Sequence, residues 1–199
     1  QAADLEMVIE VLSEIREVLS AQPIIFTCRV HTEGGYQKIS EEGRQELILG
    51  VMRTKEVDLV DIELMTETKM LASIIQEAEK QNVYTIVSNH DFKKTPEKQV
   101  IIDRLISAQE KGGHIAKIAV MPNSERDVLT LLEATLEAKE KHVRVPLITM
   151  SMSGLGVISR IAGGVFGSSV TFAAGKDASA PGQINITDLR KGIQMLSWK

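Results

Sequence analysis

Apolar and polar positions recur along the chain with two periods. Positions 5, 8, 9, 12, 15 and 19 are apolar and share one helical face, so residues 3–20 are expected to form a helix. Pro23 ends it, and IIFTCR (24–29) has the length and composition of a strand. Helices are expected over 41–54, with Leu47, Ile48, Val51 and Met52 inward, and over 67–81, with Met70, Leu71, Ile74, Ile75 and Ala78 inward. Further strands are expected at 57–64, 84–90, 115–121, 146–152 and 170–174. Thr95-Pro96-Glu97 offers an N-cap, a proline at the first helical position and a first-turn acid for a helix reaching Glu110, which Gly112-Gly113 stops. Ser124, with Asp127 three residues on, resembles a capping box. A short helix is expected near 154–163, and Thr187 is expected to cap a closing helix with Leu189, Ile193 and Leu196 inward.

Six strands, each followed by a helical segment and several apolar on both faces, argue a parallel sheet covered on both sides. No glycine-rich phosphate loop follows the first strand, and Gly154-x-Gly156 lacks a third glycine, which counts against a nucleotide-binding fold. A (β/α)8 TIM-type barrel fits better, although six units and 199 residues are fewer than the usual eight and roughly 250. The chain opens on a helix with no strand before it. The expectation is a single barrel catalytic domain over residues 1–199, N-terminally incomplete and lacking its first two strands.

Composition narrows the function classes. The formal net charge of −4, with basic residues scattered among acids, gives no reason to expect a nucleic-acid partner or an anionic membrane. Cys28 is the sole cysteine, which excludes an internal disulfide and suits a reducing compartment. No apolar run approaches the roughly 20 residues that cross a bilayer. Residues 1–20 are amphipathic and carry five acids, unlike a secretory leader.

In a barrel of this type, chemistry gathers at the C-terminal ends of the strands. Arg29 ends the first strand and Glu33 follows it. Asp61 and Glu63, two apart in the second strand, share a face. His90 ends the third strand and Lys117 lies inside the fourth. Met150 and Met152 end the fifth, Arg160 follows, and Ser179 and Gln183 lie beyond the last. Lys117, flanked by Ile115, Ala116, Ile118, Ala119 and Val120, is the most informative. On a central strand burial disfavours its ammonium form, and a neutral amine attacks carbonyls. On an edge strand it would simply reach solvent. His90 suits proton transfer near neutral pH, or a structural role at a strand end. His31, His114 and His142 show no metal-ligand spacing with it. Arg29 and Arg160 could clamp a carboxylate or form ordinary ion pairs. Glu33 could orient His90, and Asp61 and Glu63 would need partners inside a barrel. Met150 and Met152 suit core packing.

Taken in order, FTCRVHTEGG (26–35), DIEL (61–64), SNHDF (88–92), AKIAVMP (116–122), ITMSMSGLGVISR (148–160), VFGSSVTFAA (165–174) and SAPGQI (179–184) resemble the type I 3-dehydroquinate dehydratases over nearly the whole chain. The resemblance implies a (β/α)8 barrel that dehydrates 3-dehydroquinate to 3-dehydroshikimate in the shikimate pathway of aromatic amino acid biosynthesis, with no metal or organic cofactor. It implies that Lys117 forms a Schiff base and His90 transfers protons. Arg29, Arg160 and Glu33 match the family's arginines and glutamate, and Ser179 and Gln183 match a loop closing over substrate. Met150 and Met152 match pocket-wall positions, and Asp61 matches an acid behind them. A cytoplasmic homodimer is implied as well. One departure stands out: the family begins with two further strands, the second bearing a Glu-x-Arg motif that reaches substrate, and neither is present in this sequence. The competing readings are a class I aldolase, which also uses a barrel lysine, and a non-catalytic binding or scaffold barrel.

Overall fold

A computed structural model of the chain describes residues 4–196. Five strands form one sheet in sequential order: β1 (Ile25–Thr27), β2 (Leu59–Glu63), β3 (Tyr84–Asp91), β4 (Ile115–Val120) and β5 (Leu147–Ser151). Every neighbouring pair is parallel. Helix α1 (Leu5–Leu19) precedes β1, and each strand is followed by a helix: α2 (Glu41–Thr54), α3 (Thr68–Gln81), α4 (Lys98–Glu110), α5 (Glu125–Glu137) and α6 (Val157–Ala162). A last helix, α7 (Ile186–Leu196), closes the described residues. Consecutive parallel β–α units in this order make the (β/α) barrel architecture expected from the sequence. The sheet curves so far that Thr27 and Met150, from its opposite edges, line one cavity.

The period-two alternation of the strands divides the core in two. One set, including Val60, Ile62, Val87, Ala116, Ile118 and Val120, packs outward against the inner faces of the helices. The other set, Ile86, Ala119, Ile148, Met150 and Met152, fills the concave side. Lys117 therefore points inward with Ala119, and Asp61 and Ser88 share that side on their own strands, as their mutual contacts require.

Several expectations are corrected. Residues 170–174 do not form a sixth strand; Ser168, just before the segment, bridges Leu147 of the sheet, and within the segment Ala174 bridges Asn185. With Val170 exposed, residues 171–173 half-buried and Ala174 buried, the run shows no strand alternation and makes no continuous ladder. Helix α4 starts at Lys98 rather than beside Pro96, because the Thr95 hydroxyl donates to the Met121 carbonyl and tethers the loop instead of capping. Asn185, not Thr187, caps α7, its side-chain oxygen accepting from the Thr187 amide at 2.8 Å. Leu189 is buried as expected, but Leu196 is 46% exposed. Ile15 is likewise 41% exposed, because α1 packs through Leu5, Val8 and Leu12. The first residue of the helix expected at 3–20 lies outside the described residues. The capping box at Ser124 and Asp127 is present. Among the described residues no helix is long and apolar enough to cross a membrane.

Candidate active site

A cavity of ≈ 320 Å³ opens at the C-terminal ends of the strands, within the size range of small-molecule sites. Nine of the ten residues that the family resemblance assigns to the site line it. Arg29 and Glu33 enter from the end of β1, His90 from β3 and Lys117 from β4. Met150, Met152 and Arg160 close the β5 side, and Ser179 and Gln183 form the rim. The tenth, Asp61, lies fully buried behind Lys117.

Lys117 is 8% exposed on a strand with partners on both sides, so the edge-strand alternative does not apply. Its amine is not isolated in apolar surroundings. Nζ lies 2.6 Å from Asp61 Oδ2 and 4.8 Å from the centre of the Phe172 ring. Asp61 Oδ1 in turn accepts from the Ser88 hydroxyl at 2.5 Å and faces the Arg29 guanidinium at 2.9 Å. Burial alone would raise the Asp61 pKa, but Lys117, Arg29 and His90 outweigh it and hold the carboxyl well below the usual carboxylate range. For Arg29, burial opposes the charge, yet Asp61 and Glu63 together push its pKa above the ordinary value.

The depressed Asp61 pKa has a consequence for acid stability. The folded state binds this proton less readily than the unfolded chain. Its contribution is therefore full above the unfolded value of ~3.9, and is lost as pH falls through the depressed folded value. Urea unfolding at pH 5 and pH 3 is expected to show a larger loss for the wild type than for Asp61→Asn; equal losses would contradict this assignment.

His90 and Glu33 form a second unit. Glu33 ends a one-turn 3-10 helix, His31–Glu33. Its Oε2 accepts from the His90 backbone amide at 2.8 Å and lies 2.9 Å from His90 Nδ1. The glycine after it, Gly34, adopts φ +93°, and a Cβ there would come within 2.5 Å of the Phe92 ring. A side chain is excluded on both counts, which explains why a glycine must follow the glutamate. Burial pushes the His90 pKa below its ordinary value, against the opposing pull of the Glu33 hydrogen bond.

Arg160 differs from the other cavity cations. It is buried, yet its guanidinium donates only to the carbonyls of Phe172 (3.2 Å) and Pro181 (3.0 Å) and touches the Met150 sulfur. Among the described residues no carboxylate pairs with it. Burial pushes its pKa down. A buried cation facing a cavity without a counter-charge suits an anionic ligand group. Ser179 and Gln183 bond to each other across the rim, the Ser179 amide donating to Gln183 Oε1 at 2.8 Å.

Sequence reasoning missed part of this site. Phe92 and Phe172 line the cavity, and Ser88 and Arg44 stand behind it. Ser88 could have been found from its place two residues before His90 on the same strand. Phe172 carried no comparable signal, because its segment is not a regular strand.

A buried lysine, a histidine oriented by a carboxylate and an uncompensated arginine, at the strand ends of a parallel β–α fold, define a barrel with the equipment for imine and acid–base chemistry. Comparison with known proteins specifies which. Residues 1–198 match the model of the type I 3-dehydroquinases, and the chain belongs to that family. It is 51% identical to a 3-dehydroquinate dehydratase of Listeria monocytogenes, over 97% of this chain and 76% of that one. With the counterpart of Clostridium novyi it shares 48% identity over the same fractions. The crystal structure of the type I 3-dehydroquinate dehydratase from Clostridium difficile, solved with covalently modified comenic acid, superposes with a TM-score of 0.94 at 45% identity, covering 97% of this chain and 76% of that one.

Proposed function

We propose that this protein dehydrates 3-dehydroquinate to 3-dehydroshikimate, a hydro-lyase step of the shikimate pathway, through a Schiff base on Lys117. The observation that carries the mechanism is the placement of a buried amine between an ionised carboxylate, Asp61 at 2.6 Å, and an aromatic face, Phe172 at 4.8 Å. Both neighbours favour a cation at that nitrogen, and an iminium is such a cation.

The Lys117 amine, once it has given up its proton, adds to the ring ketone, and the carbinolamine loses water to give the iminium. That cation draws electrons from the adjacent C–H bond. His90 Nε2 accepts the proton, since Nδ1 is engaged by Glu33. The enamine electrons then expel the β-hydroxyl, which leaves as water on taking a proton from His90. Addition of water to the conjugated iminium releases the enone and restores the amine. The balance is one substrate to one product and one water. Asp61 stays ionised throughout and offsets the iminium charge. By family resemblance, the working form is a cytoplasmic homodimer acting on this small-molecule substrate.

Arg160 binds the substrate carboxylate in this scheme. Arg160→Met is expected to raise KM about 10- to 100-fold, the loss of a charge-assisted hydrogen-bond pair, with a smaller fall in kcat. Steady-state kinetics decide this, and an unchanged KM would move the carboxylate elsewhere. The mechanism itself is tested by adding 3-dehydroquinate and borohydride and mapping the adduct by mass. A single reduced adduct on Lys117 supports it; a folded chain that turns substrate over without one rejects the imine.

A further inference from the structure

We infer that Arg44, on α2 and outside the cavity, is a positioning residue that fixes Arg29 and Asp61 at the reacting amine. The inference rests on the Schiff-base reading above. Arg44 is 2% exposed, one of the largest fully buried side chains of the described residues. Its Nη1 is ion-paired with Glu63 Oε2, and its Nη2 donates to Thr66 Oγ1 at 2.9 Å and to Glu41 Oε2 at 3.2 Å. Glu63 Oε1 turns the other way, accepting from Arg29 Nη1 at 2.8 Å and from the Val30 amide at 3.0 Å. Arg29 Nη2 then reaches Asp61, which holds Lys117.

The result is a line of alternating charge from α2 to the cavity, Arg44, Glu63, Arg29, Asp61, Lys117, with Glu41 as a side branch at Arg44. Along that line Glu63 is held between Arg44 and Arg29, and Asp61 between Arg29 and Lys117. The iminium carries its positive charge at the cavity end of that line, beside Asp61. Arg44 therefore shares Glu63 with Arg29 and fixes where the Arg29 guanidinium sits. Without it, Glu63 keeps only Arg29 and the Val30 amide, and Arg29 is drawn towards Glu63 and away from Asp61. The planar fork of arginine suits this place because it engages Glu63 and Thr66 together, which a lysine cannot do.

A purely structural ion pair would give a different pattern from a positioning one, and a double-variant cycle separates them. Arg44→Met and Glu63→Gln each leave one buried charge short of its partner and are expected to lower the urea midpoint. The double variant removes both charges and is expected to recover that midpoint. Its rate of borohydride-trapped adduct formation on Lys117, at saturating 3-dehydroquinate, is expected to stay about 10- to 100-fold below wild type, the usual cost of loosening a group behind a reacting one. A double variant that traps at the wild-type rate overturns the inference. Should either Met-containing variant fail to fold, Arg44→Lys decides: slowed trapping at an unchanged urea midpoint supports positioning, and unchanged trapping overturns it. Absence of any adduct in the wild type overturns the imine mechanism, and the role of Arg44 falls with it; a wild-type adduct formed equally fast in the Arg44 variants overturns the role of Arg44 alone.

Discussion

Lys117→Ala is expected to abolish turnover and the trapped adduct together, lowering kcat by on the order of 10⁵-fold or more, because an amine held at the carbonyl acts at an effective molarity of that order. The substitution should leave the fold intact. Asp61 loses one partner but keeps the Arg29 guanidinium at 2.9 Å and the Ser88 hydroxyl at 2.5 Å, so no bare carboxylate is left buried. Phe172 and Met150 can close over the vacated space from the same cavity. A retained urea midpoint with lost activity would place the defect in chemistry. The competing aldolase reading also predicts an inactive Lys117→Ala, so the product must be identified in the wild type: dehydration yields a conjugated enone with new ultraviolet absorbance, whereas carbon–carbon cleavage yields two fragments. Normal dehydration by Lys117→Ala would remove the covalent mechanism from consideration.

The parts of the site legible in the sequence are those on strands. Period-two alternation is local, so Lys117 among apolar neighbours and Asp61 two residues from Glu63 could be placed on a face without knowing the fold. Arg44 was not legible in the same way. It sits among Glu41, Glu42 and Gln45, which reads as a solvated helix face, yet it precedes Leu47, Ile48 and Val51 by three, four and seven residues and so shares their buried stripe. That spacing was an available signal, outweighed by the expectation that arginines are exposed. The segment 170–174 failed for the opposite reason. Its composition favours a strand, but pairing depends on what lies beside it, and its bridge, from Ala174, is to Asn185 rather than to a strand of the sheet. Leu196 and Ile15 show the same limit on helices: a stripe states which face is apolar, and tertiary neighbours determine how much of it is covered.

His90→Ala is expected to lower kcat by about 10²–10⁴-fold, the usual contribution of one positioned acid–base group, while still giving a slow borohydride-trapped adduct. The difference from Lys117→Ala follows from the division of labour: the nucleophile is intact, but each proton transfer must run through water. The pH profile adds a signed test. Burial pushes the His90 pKa below its ordinary value of ~6.5, so the ring is a free base across neutral pH, and kcat/KM should hold level until pH drops beneath that value. The Glu33 hydrogen bond opposes the shift. Glu33→Gln removes that opposition, so its acid limb should move to still lower pH, even as kcat falls because the imidazole is less firmly oriented. A loss of ring orientation alone would lower the rate and leave the limb in place. An acid limb at or above pH 6.5 in the wild type, unmoved by Glu33→Gln, would assign the proton transfers to a group other than His90.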